Sequence, residues 1–443
     1  MKEKRESFKS TLGFILATSG AAIGLGNIQR FPFIVSEGGG ALFVFIYLIC
    51  VILIGIPLIL VEVALGRHTK RNPVSAINMI RPKSFWRIGG ALGVLTVFFI
   101  LTYYSVIAGW AIGYIFNMLF NVSIDIKDFS QNAFYSIGYM SLFLIIVVAI
   151  VIRGVHKGIE RWSKILMPLL FIIILILVVR SLLLPNSLEG LKYYLKPDFS
   201  EVNTKIFLLA LGQAFFSLSI GGHVLITYGS YAKKTENLVR SSGYVALFDT
   251  LIALLAGLVI FPAVFSFGEL PSQGIALSFV VLPKIFLQMP LGNIFGAFFF
   301  LLLAFAAITS GIALLEIPVI YFVDSKKWSR KKAVLIIGVL VFLLGIPSAL
   351  SQGSNRFLSN MKIDLIGRQS LLDIMDFVWG NFTMVLAAGI IAIFVGWVWG
   401  IRNVKEELAI GSYGFKRIAA IWGVLVKYII PVLIFVILLM LFI

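Results

Sequence analysis

The residues of this chain that are able to do chemistry are few, and they stand in apolar surroundings. Gly20-Ala21-Ala22-Ile23-Gly24-Leu25-Gly26-Asn27 puts three glycines and an asparagine inside one apolar run. Phe216-Ser217-Leu218-Ser219-Ile220-Gly221-Gly222-His223 puts two serines, two glycines and a histidine inside another. Glycine costs about 1 kcal/mol relative to alanine in a helix interior, so both runs are expected to unwind. Unwound backbone survives at bilayer depth only where protein or a water-filled cavity satisfies its polar groups. Asp249 sits in Tyr244-Val245-Ala246-Leu247-Phe248-Asp249-Thr250. An acidic group at the centre of a membrane helix costs roughly 2.5–3.5 kcal/mol on insertion scales and marks a functional site by default. Ala306, Thr309 and Ser310 fall at i, i+3 and i+4, on one helix face. Hydroxyl and freed carbonyl oxygens are hard donors, suited to an alkali cation. Two alternatives stay open: membrane hydroxyls also bond back to their own helix, and small residues also serve close helix packing. A matched pair of interrupted segments points instead to a transporter binding site between repeats.

The elements that must hold these groups are membrane helices. Of the 443 residues, 60% are hydrophobic and 13% charged, with a mean hydropathy of +1.02. A soluble domain runs near 45–50% apolar and about 25% charged, so a water-soluble protein is excluded. Apolar stretches of about 17–25 residues are long enough to span a bilayer as a helix. Reading them against Gly, Pro and charge predicts eleven spans: 11–36, 41–66, 88–120, 134–152, 163–184, 206–232, 238–267, 294–323, 331–350, 371–400 and 424–443. The chain reads as one membrane transport domain, 1–443, an all-α polytopic protein. Its two inverted five-helix repeats would cover about 11–184 and 206–400, with 424–443 as an additional helix. The segment Ile275–Met289, between Pro271 and Pro290, is too short to span and is expected as a surface-lying or re-entrant hairpin.

Charge sets the expected orientation. Most Lys and Arg lie in alternate loops, which the positive-inside rule assigns to the cytoplasm together with the N-terminus. With eleven spans the C-terminus falls outside, and the address is the plasma membrane. The formal charge of +17 is thereby explained by topology rather than by nucleic acid. The single cysteine, Cys50, excludes disulfides, and His68, His156 and His223 are too scattered for a histidine metal site. The basic N-terminus lacks a small-residue cleavage site and is not read as a signal peptide. Arg30, Gln213 and Asp376 lie toward the outer ends of spans one, six and ten. Glu62 and Glu316 lie toward the inner ends of theirs, where a role and a structural ion pair are equally open.

Gly24-Leu25-Gly26-Asn27 with Arg30-Phe31-Pro32 resembles the signature of the neurotransmitter:sodium symporter family. The resemblance continues through Glu37-Gly38-Gly39-Gly40, Gly55-Ile56-Pro57, Glu62, Gly66-Arg67, Tyr103-Tyr104, Gly158-Ile159-Glu160-Arg161, Phe215 to Ser219 and Thr309-Ser310, and covers essentially the whole chain. It implies the eleven-helix type found in some prokaryotic members, with helices one and six discontinuous. Two sodium sites are implied. The first would use the Ala22 carbonyl, Asn27, Ser217, Asp249 and the substrate carboxylate. The second would use the carbonyls of Gly20, Ile23 and Ala306 with the hydroxyls of Thr309 and Ser310. The carboxylate would also meet Tyr104 and the amides of Leu25 and Gly26, and freed carbonyls near Ala21, Ala22, Phe216 and Ser217 would hold the amine. Ile100, Phe216, Ser219, Gly222, Ser310 and Leu314 would shape the pocket. The outer gate would comprise Arg30, Gln213 and Asp376 with Tyr104 and Phe216; the inner gate would comprise Arg5, Ser230, Tyr231 and Asp324.

Several positions refine that expectation. Asp249 stands where many relatives carry asparagine, and Ala253 where chloride-dependent members carry serine, so Asp249 is expected to supply the fixed negative charge and no chloride is expected. Gly222 replaces a bulky residue that walls the pocket, which predicts room for a large side chain. His223 follows, with pocket contact and a structural role equally open. Phe8 stands where relatives often have tryptophan, which puts a cation–π inner closure in doubt. Gly24 lacks the aspartate of monoamine carriers, so the ligand is expected to bring its own carboxylate. The expected activity is sodium-coupled symport of hydrophobic L-amino acids, with two sodium ions, by alternating access. The alternative is an amino-acid sensor on the same fold. An enzyme is not expected: there is no nucleophile–base–orienter set, no HExxH pair and no phosphate loop.

Overall fold

The computed structural model describes residues 6–122, 124–269, 276–363, 367, 369–412 and 414–442. Among these, nine helices are long and apolar enough to cross a membrane: Ala41–Thr69, Arg87–Leu119, Ala133–Val151, Val155–Leu182, Leu238–Ser266, Gly292–Lys326, Arg330–Leu350, Leu371–Ala409 and Phe415–Met440. A tenth crossing is bent. Thr11–Ala22 and Gly26–Glu37 meet at 54°. The first starts on Ser10, whose hydroxyl accepts the Gly13 amide at 3.0 Å. The expected sixth span is two short helices, Thr204–Ser217 and Val224–Tyr231, joined by non-helical backbone over 218–223.

Both breaks fall where glycine density predicts them. In the second, Ser219, Gly221 and His223 all have positive φ, at 52°, 87° and 56°. Gly221 is demanded twice, because a Cβ there would also lie 2.0 Å from the Met384 carbonyl of the tenth span. No residue but glycine fits so close an approach at that φ.

Boundaries differ from the sequence reading in three places. The fifth span begins at Val155 rather than 163: its polar start is helical because Glu160 accepts the Lys9 amide (2.8 Å), the Ser10 hydroxyl (3.0 Å) and Lys164 (2.6 Å). The tenth continues beyond Gly400 as the amphipathic Ile401–Ala409, anchored by buried Val404, Glu407 and Leu408. The last begins at Phe415, ahead of 424. Of the expected hairpin, Ile275 and Pro271 lie outside the described residues. The rest forms the helix Leu277–Leu287, whose Phe279 packs at 5.2 Å on Tyr114 and 5.4 Å on Phe300. It is therefore docked on spans three and eight through a buried ring rather than lying on the surface.

Candidate ion and ligand site

Asn27, just after the first break, is fully buried and draws three elements together. Its Nδ2 donates to Asp249 Oδ1 at 2.7 Å, to the Asp249 carbonyl at 3.2 Å and to Ser217 Oγ at 2.9 Å. Ser217 in turn donates to Asp249 Oδ2 at 2.6 Å. The Asn27 side-chain oxygen accepts the Gly24 amide at 3.1 Å, so the asparagine also holds the unwound turn. The first broken helix, the first half of the sixth span (Thr204–Ser217) and the seventh therefore meet at one oxygen-rich point.

A second cluster lies across the same break. Ser310 donates to the Ile23 carbonyl at 2.9 Å and to the Ala21 carbonyl at 3.3 Å. Thr309 donates to the Ala306 carbonyl at 3.0 Å, and a Cβ on Gly20 would lie 3.2 Å from Thr309. These are hard oxygens only, the donor set of an alkali or alkaline-earth ion rather than a transition metal. Among the described residues no group of three His, Cys, Asp or Glu forms a metal cluster.

Between the clusters opens a cavity of about 530 Å³, in the range of small-molecule sites. Ala21, Ala22, Leu25, Gly26, Ile100, Tyr104, Phe216, Ser219, Gly222, Ser310 and Leu314 line it. Ser217 is not among the lining residues, because its hydroxyl is committed to Asp249. Tyr104 accepts the Leu25 amide at 3.4 Å. A Cβ on Gly24 would stand 2.7 Å from Ser310 Oγ and 3.1 Å from the Tyr104 hydroxyl, so these two hydroxyls close on the glycine and leave no room there for a side chain.

Toward one end the cavity runs past Arg30, Phe33, Glu37 and Asp376. The Arg30 guanidinium lies 4.1 Å over the Phe216 ring, a cation–π contact. It also donates to Asn381 Oδ1 at 2.9 Å, and Asn381 donates to Asp376 Oδ2 at 3.1 Å. Gln213 holds the Gly26 carbonyl at 3.2 Å. Sequence reasoning missed Asn381: a lone amide five residues past Asp376 carries no signal until the helix rotation is known. It also missed Val97, which stands one turn before Ile100 on the same face and was legible by spacing.

The residues around the expected inner gate pack outside the lining of this cavity. Phe8 is 1% exposed, with ring neighbours Phe14, Tyr228 and Tyr231 at 5.7, 5.8 and 6.1 Å. The Tyr231 hydroxyl donates to Glu316 at 2.6 Å, and Glu316 pairs with Arg330, so its charge is matched in the protein. Ser230 bonds the Thr227 carbonyl of its own helix, and Asp324 accepts two bonds from Asn72. Arg5 lies outside the described residues. Glu62 accepts the Gly221 amide at 2.9 Å and so braces the second break. His223 is fully buried beside Gly93 and is not among the cavity-lining residues: a Cβ on Gly93 would overlap its ring. Neither of its ring nitrogens has a hydrogen-bond partner among the described residues.

The model of the sodium:neurotransmitter symporter family matches residues 5–124 and 125–443. A sodium-dependent transporter of Bacillus subtilis, YhdH, is 37% identical over 98% of this chain and 97% of its own. One from Haemophilus influenzae is 38% identical over 98% of both chains. The crystal structure of MhsT in complex with L-phenylalanine is 40% identical, with a TM-score of 0.90, over 99% of this chain and 100% of that one.

Proposed function

The chain belongs to the sodium:neurotransmitter symporter family and is a sodium-dependent membrane transporter, not an enzyme, and on that premise we propose that it carries large hydrophobic L-amino acids by alternating access. The observation that carries this reading is the meeting, at the wall of the cavity, of Tyr104 and the Leu25 amide with the cluster of Asn27, Ser217 and Asp249. A substrate carboxylate placed there would lie between the Tyr104 hydroxyl, the Leu25 amide and the cluster of Asn27, Ser217 and Asp249. The first sodium would then be shared between substrate and protein, with Ala22 supplying a carbonyl. Gly20, Ile23, Ala306, Thr309 and Ser310 would hold a second. Shared ligands make each bound species tighten the other, reciprocally.

The size of the cavity and its walls of Val97, Ile100, Phe216 and Leu314 favour a bulky apolar side chain. The same kind of ligand fills MhsT. Asp249 supplies the negative charge opposite the first sodium, while Ala253 is buried and offers no polar atom, which favours transport without chloride. Arg30 over Phe216, linked through Asn381 to Asp376, forms the outer gate, and the Phe8 cluster the inner one. Closing the first and rearranging the two broken helices to open the second is the alternating step. Eleven spans in two inverted repeats, with the N-terminus inside a plasma membrane, complete the reading.

The test is uptake into proteoliposomes of each of the amino acids under an inward sodium gradient, in chloride and in gluconate. Accumulation of phenylalanine, leucine or tryptophan in sodium but not potassium, unchanged by the anion, is the expected result. Sodium-dependent binding without flux would identify the sensor instead.

A further inference from the structure

A second cavity, of about 640 Å³, lies between Thr204–Ser217, the tenth span and the last, and nothing in the transport reading uses it. Its wall is made of apolar side chains, among them Leu209, Val385, Ile437 and Met440. Among the described residues its charged lining is Arg30 and Lys205, both cationic. Lys205 stands at the end of its helix and is exposed to the surroundings. Met440 lines the cavity while 43% exposed, so the cavity reaches the surface between the last helix and Thr204–Ser217.

We propose that this cavity binds one acyl chain of an anionic phospholipid, with the phosphate on Lys205 and the chain running down toward Phe216. The dimensions agree. Lys205 and Phe216 are eleven residues apart on one helix, about 16 Å at 1.5 Å per residue. One leaflet is about half of a roughly 30 Å hydrocarbon core, so a chain entering beside Lys205 ends at the depth of Phe216. The sign of the charge agrees as well, since a lysine at the head-group level attracts anionic lipid and repels a cationic ligand. The inference goes beyond the transport reading, and lipid binding does not depend on it. It has one consequence for transport: Arg30, Phe216, Asn381 and Met384 line both cavities. An occupant of the second therefore bears on the back of the contact between Arg30 and Phe216.

The test is native mass spectrometry of the full chain, released from detergent carrying phosphatidylglycerol or phosphatidylcholine. The expected result is one retained phosphatidylglycerol in clear excess over phosphatidylcholine. K205E should lower that retention about fivefold, the weight of one lysine near a charged surface, with phosphatidylcholine retention unchanged. L209W, which fills the cavity and leaves Lys205 in place, should lower both. Thermal unfolding of each variant in the same detergent separates lost binding from lost fold, and L209F stands in if L209W does not fold. Equal retention of the two lipids by the wild type, or wild-type retention in both K205E and L209W, overturns the proposal. Release of the retained lipid by excess L-phenylalanine also overturns it, in favour of a second amino-acid site.

Discussion

Asn27 reaches Asp249 across 2.7 Å, from the first broken helix to the seventh, with Ser217 hydrogen-bonded to both. A buried carboxylate held by neutral donors is matched only when a cation arrives, since an uncompensated buried charge costs several kcal/mol. D249N should therefore weaken sodium-dependent substrate binding by about tenfold or more, the loss of roughly 1–3 kcal/mol on unpairing a buried group. Adding A253S should restore binding in chloride and not in gluconate. Equilibrium binding in the two anions reads this directly. Restoration in both would remove the charge-substitution argument.

Substitution at Gly24 tests where the substrate carboxylate sits. A side chain there meets Ser310 Oγ and the Tyr104 hydroxyl first. G24A is expected to raise the apparent Kd for amino acids about tenfold, and G24D to abolish amino-acid binding by placing a second carboxylate in the same space. Isothermal titration with sodium present is the measurement. Wild-type affinity in G24D would count against a shared sodium shell.

Gly222 sets the width of the cavity. A Cβ there would approach Val97 Cγ1 to 3.0 Å, and an aromatic ring would extend into the space left for substrate. G222F should lose phenylalanine and tryptophan uptake while retaining alanine uptake. Competition against labelled alanine gives the answer, and undiminished inhibition by tryptophan would place the side-chain pocket elsewhere.

Phe8 is proposed as the inner closure, with Phe14, Tyr228 and Tyr231 around its ring. F8A should open it. Because Cys50 is the sole cysteine, a C50A background with S19C reports access, Ser19 being fully buried. Alkylation of S19C should be several-fold faster with F8A than without. An unchanged rate would show that the closure lies elsewhere.

Glu316, fully buried, pairs with the half-buried Arg330, with Tyr231 as third partner. Removing one member of such a pair typically costs about 3–5 kcal/mol, whereas replacing both can be nearly neutral. E316Q should lower the thermal midpoint in detergent, and E316Q with R330M should recover most of it. Equal losses in single and double variants would mean that the pair carries no coupling energy.

Hydropathy and glycine spacing located the bent pair and, within a few residues, six of the nine long helices, because both signals are local. Residue type alone marked Asn27, Asp249, Thr309 and Ser310, since a polar group in an apolar run has few ways to be satisfied. Local signals failed where satisfaction comes from a distant partner. The helical start at Val155 depends on Glu160 reaching Lys9 and Ser10.

What the sequence by itself determined is the class of the protein, the places where its helices break and the hardness of the ligands it offers. Only the tertiary structure decided that Asn381 joins Arg30 to Asp376, that His223 turns to Gly93, and that a second cavity backs Phe216. The reason is geometric. Composition and period say which side chains must leave lipid, but the rotation and crossing of each helix choose the partner they meet.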